Sequence, residues 1–148
     1  MDSTSPIGLY NFGVSYLDTA RAAVCSNQHR MFDDPIEFLC AHGLELIFKA
    51  DATRTDSVEA VRKKFGHNLI KLRHHLSPEF QAEFEIDEQT ENVIRYLAVG
   101  HSGPNWRNRY IETGIRQALP VQQILLPLGR FNTEKRRWLI SHFDKVVP

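Results

Sequence analysis

An all-α fold is what this sequence predicts, and three observations lead there. Apolar residues recur at spacings of three and four along most of the chain, the period of an amphipathic helix. Helix-start signals, Asp34-Pro35 and Ser77-Pro78, stand directly ahead of such runs. The length of 148 residues, with 42% hydrophobic and 24% charged residues, suits one domain with a core of its own.

The first helix is expected from Ile7 to Gln28, where Leu9, Phe12, Val14, Tyr16, Leu17, Ala20, Ala23 and Val24 make an apolar stripe. Gly13 and Ser15 weaken its early turns. A short connection, His29 to Phe32, precedes the clearest start in the chain: Asp34 as cap, Pro35 at the first helical position and Glu37 three residues after the cap. From Ile36 to Ala50 this second helix is apolar almost all round, broken only by His42, Glu45 and Lys49. Such a helix is central, packed by neighbours on most sides. Its Glu45 and Lys49, one turn apart, either pair with each other or face a polar cleft.

Residues 51–65 are expected to form a polar loop with one helical turn. Gly66-His67-Asn68-Leu69 then leads into a short third helix carrying Ile70, Leu72 and Leu76. Ser77-Pro78-Glu79 caps another short one, ending near Phe84. Asp87 opens a fourth main helix through Val93, Ile94, Leu97 and Ala98, with Gly100 a natural stop. His101 to Gly114 reads as loop, turning at Gly103-Pro104-Asn105. Pro120 and Pro127 bracket a short apolar piece, and Asn132 or Thr133 begins a last helix bearing Trp138, Leu139, Ile140, Phe143 and Val146. Trp106 and Trp138 are expected to pack. No internal repeat or low-complexity run argues for a second domain, so residues 1–148 are taken as one.

The chain carries 18 basic and 18 acidic side chains, so any contact with a polyanion has to come from a local patch. One candidate is the basic segment Arg62, Lys63, Lys64, Lys71 and Arg73 with His67, His74 and His75; the segment Glu79 to Glu91 is its acidic counterpart. The two are either solvated faces attracting each other across a helical hairpin, or a basic rim for phosphate beside an acidic neighbour. Cys25 and Cys40 both lie in apolar helical patterns, which predicts two buried free thiols and a reducing, cytoplasmic setting. The start MDSTSPIGLY lacks the basic and apolar regions of a signal peptide, and no apolar run is long enough for a membrane span.

Familiar catalytic motifs are missing from the sequence: no HExxH, no ExxH of the ferritin-like kind, no Gly-rich phosphate loop and no GxSxG elbow. Adjacent His74 and His75 point about 100° apart on a helix and do not easily grip one ion, so neither a metal site nor a cofactor is expected. Arginine and histidine remain. The first holds phosphate through a two-pronged contact and the second moves protons near neutral pH. Together they suffice for metal-free RNA cleavage, in which a base deprotonates a 2′-hydroxyl and a cation steadies the phosphorane.

Three blocks in order add a family resemblance. Phe38-Leu39-Cys40-Ala41-His42-Gly43-Leu44-Glu45-Leu46-Ile47-Phe48-Lys49-Ala50 resembles a hALELxLKA helix, Gly66-His67-Asn68-Leu69-Ile70-Lys71-Leu72 resembles GHdLxxL, and Arg109-Tyr110-Ile111-Glu112-Thr113-Gly114 resembles RYxxxG. Over residues 10–115 this order resembles the HEPN superfamily of small helical domains. The resemblance implies an up-and-down bundle of four to five helices, a homodimer, and an association with nucleotides or RNA. Its best-characterised members are metal-independent endoribonucleases of defence or toxin–antitoxin systems, which puts a cognate antitoxin among the expected partners. Their catalytic arginine and histidine stand a few residues apart, a spacing met here by Arg95 and His101, by Arg62 and His67, and by Arg136 or Arg137 with His142. Arg95 and His101, late on the helix after the GHNL block, are taken as the catalytic pair, although Tyr96 stands where active members carry a small polar residue. Glu45, Lys49, Arg62, His67, Asn68, Arg109 and Tyr110 are taken as nucleotide- or phosphate-binding. The alternatives are a non-catalytic homodimeric interaction module, in which Glu45, Lys49, His67 and Arg109 build a polar seam, and a small-molecule or nucleotide binder without hydrolysis.

Overall fold

A computed structural model describes residues 4–26, 29–102 and 118–144, and these are helical without strands. In chain order the elements are α1 (Pro6–Cys25), α2 (Asp34–Ala52), α3 (Val58–Phe65), α4 (Leu69–His75), α5 (Pro78–Glu83), α6 (Glu88–Ser102), α7 (Val121–Leu128), a 3₁₀ turn (Thr133–Lys135) and α8 (Arg136–Asp144). None of these helices is long and apolar enough to cross a membrane. Three long helices thus dominate, with the short helices expected after Asn68 and after Ser77 present between them as α4 and α5.

Helix α1 packs along α2, and two glycines set how closely. A Cβ on Gly13 would lie 2.6 Å from Ile47 Cγ1 and 2.7 Å from the Gly43 carbonyl; one on Gly43 would lie 2.8 Å from the Gly13 carbonyl. Two helix backbones therefore meet where neither has a side chain. The central role expected of α2 holds: Ile36, Cys40, Ala41, Leu44, Ile47 and Phe48 are all buried. Its polar stripe is no solvent face. Glu45 and Lys49 are buried too, turned toward α6 and the α3–α4 connection.

The short elements begin where the sequence signals them. Ser57, Asn68 and Ser77 each accept a hydrogen bond from the backbone N–H three residues on, capping α3, α4 and α5. Asp87 accepts from the Thr90 N–H at 2.8 Å at the start of α6. Asp34, expected as the cap of α2, is instead its first residue, after Asp33. The stretch expected as loop contains α3, two turns anchored by buried Val61 and Phe65. Gly100 does not end its helix; α6 runs on through His101 to Ser102.

An aromatic layer closes the other side of the core, where Phe48, Phe80, Phe84, Phe131 and Trp138 stack or meet edge to face. Trp138 packs as expected, while Trp106 lies outside the described residues. Tyr10 donates its hydroxyl to the Asn132 carbonyl at 2.6 Å, and Arg21 bonds the Leu128 carbonyl at 2.8 Å, so α1 ties down the C-terminal segment. Of the acidic stretch, Glu91 meets Arg73 at 2.7 Å, while Glu83 and Asp87 pair with Lys135 and Arg130. Cys40 is buried, but Cys25, expected to be so, is exposed at the end of α1.

Candidate functional site

Glu45 is 1% exposed and gathers the polar groups that the sequence had scattered. On its own helix, His42 stands one turn before it and Lys49 one turn after, so all three share a face. Lys49 Nζ donates to Glu45 Oε1 at 2.6 Å. From α6, His101 Nε2 reaches Glu45 Oε2 at 2.5 Å, its ring fully buried. From the α3–α4 connection, His67 Nδ1 lies 3.1 and 3.2 Å from the two oxygens. His42 Nδ1 stands 3.8 Å from Oε2, too far for a hydrogen bond.

Local structure explains each placement. The Gly13–Gly43 crossing brings α1 against the turn of α2 that carries His42, whose ring meets the edge of Tyr16 and stacks on Phe38. Phe38 also borders His101 and so walls both imidazoles with one apolar ring. Continuation of α6 past Gly100 carries His101 into the interior. Gly66, at φ +54°, ends α3 in a left-handed conformation and turns the chain so that His67 faces Glu45 before Asn68 caps α4.

Electrostatics follow from this crowding. Burial by itself raises the Glu45 carboxyl, but the His101 and His42 rings and the Lys49 ammonium outweigh it and hold the group well below the usual carboxylate range. An ionised carboxylate only accepts hydrogen bonds, so it assigns the protons to His101 Nε2 and His67 Nδ1. The buried Nδ1 atoms of His42 and His101 have no hydrogen-bond partner. The way in is at His67, whose side chain is 42% exposed.

Several residues singled out from the sequence thus come together: Glu45, Lys49, His67 and His101. Others do not join them. Arg95 is exposed while His101 is fully buried, and on the unbroken α6 the two point about 120° apart. The pair therefore shares no site within one chain, because the expected break at Gly100 is absent. Arg62 is exposed on α3, and exposed Asn68 spends its side chain capping α4 through the Lys71 N–H at 2.9 Å. Arg109 and Tyr110, with the turn before them, lie outside the described residues. His42 is the member that sequence reasoning missed. Its signal was present in the spacing to Glu45, but its third companion lies on another helix. No protein-family model, curated protein or solved structure matches this chain.

Proposed function

We propose that this chain is a nucleotide- or RNA-associated domain of the HEPN kind, in which the Glu45 cluster handles the phosphate-bearing ligand. One observation carries the reading: a half-open imidazole, His67, is held through Nδ1 by a buried carboxylate and stands between α3 with its basic face and α4. A carboxylate that fixes the tautomer and direction of a histidine is the arrangement general base catalysis asks for. In metal-independent RNA cleavage His67, not His101, takes the proton of the 2′-hydroxyl, and Glu45 steadies the ring as it becomes positive. Arg62, exposed on α3, supplies the guanidinium nearest before His67 in sequence for the phosphate. A homodimer and a cognate antitoxin belong to the same reading.

The test is cleavage of a mixed RNA pool in EDTA by the wild type and by His67→Ala, Arg62→Ala and Arg95→Ala. The expected result is an activity lost in the first, weakened in the second and kept in the third. Folded wild type that neither cleaves nor binds RNA overturns the proposal. A second reading, the non-catalytic homodimeric module, is favoured by the well-exposed apolar side chains Phe12, Val99 and Leu126. Mass measurement in solution tests it together with the RNA assay: a dimer that Val99→Asp dissociates, in a protein that neither cleaves nor binds RNA, supports that module, and a monomer removes it.

A further inference from the structure

The same cluster has a second chemical capacity that phosphate handling does not use. A His42 ring nitrogen, a Glu45 carboxylate oxygen and a His101 ring nitrogen all lie within 4.8 Å of one another, one of the three residues half-buried and two fully buried. Two imidazoles and a carboxylate are the donors a zinc-class ion takes in an open, three-ligand site.

We propose that His42, Glu45 and His101 bind one divalent transition-metal ion of the zinc class. Bonds of about 2.0–2.1 Å to each donor would set them roughly 3.3 Å apart. The present separations fall on both sides of that value, 2.5 Å from His101 Nε2 to Oε2 and 3.8 Å from His42 Nδ1 to the same oxygen. Small side-chain rotations suffice: His101 and Glu45 draw apart as the ion enters between them, and His42 closes in. The ion takes the place of the proton that His101 Nε2 donates to Glu45. The ring binds it as a neutral imidazole with its one proton on Nδ1, and a second proton, where the ring was an imidazolium, leaves to solvent. His42 Nδ1, buried and without a hydrogen-bond partner, acquires one.

The surroundings are those of a prepared site. Lys49 bonds the other oxygen, Oε1, and so orients the carboxylate without occupying the edge that faces the ion. Phe38 packs against both histidine rings and restricts their rotation. His67 stands at the more exposed side, 3.2 Å from Oε2 and outside the three-donor group, which leaves a fourth position for a ligand from solvent.

The inference does not rest on the phosphate reading, because binding is measured directly and without RNA. Untagged protein, stripped with a chelator and dialysed, is titrated with Co²⁺ and followed by visible absorption; Zn²⁺ is then added in competition. Saturation at one Co²⁺ per chain with the intense bands of a four-coordinate ion, displaced by Zn²⁺, is the expected result. His42→Ala, a substitution at a half-buried ring, weakens binding at least roughly tenfold, since even outer partners of metal ligands contribute that much. His74→Ala, at an exposed position on α4, leaves binding unchanged. Circular dichroism checks the fold of each variant. No saturable binding by the wild type overturns the proposal, as does equal binding by folded His42→Ala, or a loss in His74→Ala as large as in His42→Ala.

Discussion

Two of the carboxylates that helix α2 buries, Asp51 and Glu45, lie within two turns of each other and are treated in opposite ways. Asp51, fully buried, accepts from the Ser77 N–H at 2.8 Å, the Ser77 hydroxyl at 3.0 Å and Arg54 at 2.7 Å. Both of its oxygens are satisfied by groups whose positions are fixed by a helix start and by a neighbouring turn. Glu45 meets imidazoles and one flexible ammonium instead, with ring nitrogens nearby that lack partners and one ring open to solvent. A carboxylate saturated by backbone and arginine joins elements together; one ringed by histidines can exchange its partners for a proton, a ligand or an ion.

The largest effect should fall on the first of the pair. Asp51→Ala should cost about 3–5 kcal/mol in urea unfolding, because Arg54 and the start of α5 lose a buried charge partner together. Glu45→Gln should cost clearly less and yet abolish Co²⁺ binding. Equal losses of stability in the two variants would erase the distinction. Gly43→Ala comes next, at about 1–3 kcal/mol, since the added methyl has only the Gly13 carbonyl and Leu17 to push against. Ser77→Ala removes one of the Asp51 donors and the cap of α5, and about 1–2 kcal/mol should go with it.

Two smaller contrasts sharpen the point that surroundings decide behaviour. Burial pushes the Cys40 thiol up to about 12, with Arg21 opposing and Glu37 adding to the shift, whereas Cys25 is exposed. A thiol reagent at neutral pH should therefore label one cysteine in the native protein and the second only after unfolding. Asp87 is a third carboxylate, at the surface. Hydrogen bonds from the Thr90 hydroxyl and N–H, with help from Arg130, hold it down at about 2. Because its folded value lies below the ordinary 3.8, its contribution is present above that pH and is lost as the pH falls toward 2. Asp87→Asn should flatten the acid side of the melting-temperature profile by a few degrees at most.

What the sequence made legible was what depends on neighbours along the chain. Ser77-Pro78 announced α5, and the apolar circumference of α2 announced its central place. Helix α3 showed only as one expected turn, because Val61 and Phe65 are its buried anchors and the six mostly polar residues around them look like loop. Gly100 misled because a glycine that ends an isolated helix is tolerated in one where Leu97, Ala98 and His101 around it are buried. That single difference turned His101 from an expected surface base into a buried partner of Glu45. Glu45, Lys49 and His67 were visible as candidates, but not as one cluster with His42. Proximity between α2 and α6 is a property of packing, which spacing along the chain does not encode.

The glycine contact between α1 and α2 acts as a bearing for all of this. Gly43 lies between His42 and Glu45, so the depth at which α2 seats on α1 sets the height of both donors relative to His101 and His67. A methyl group placed at position 13, on a helix that contributes only Tyr16 to the cluster, would lift that seat and detune every distance around Glu45 at once. The spacing of the polar cluster on one side of α2 is thereby made answerable to a residue with no side chain on the other.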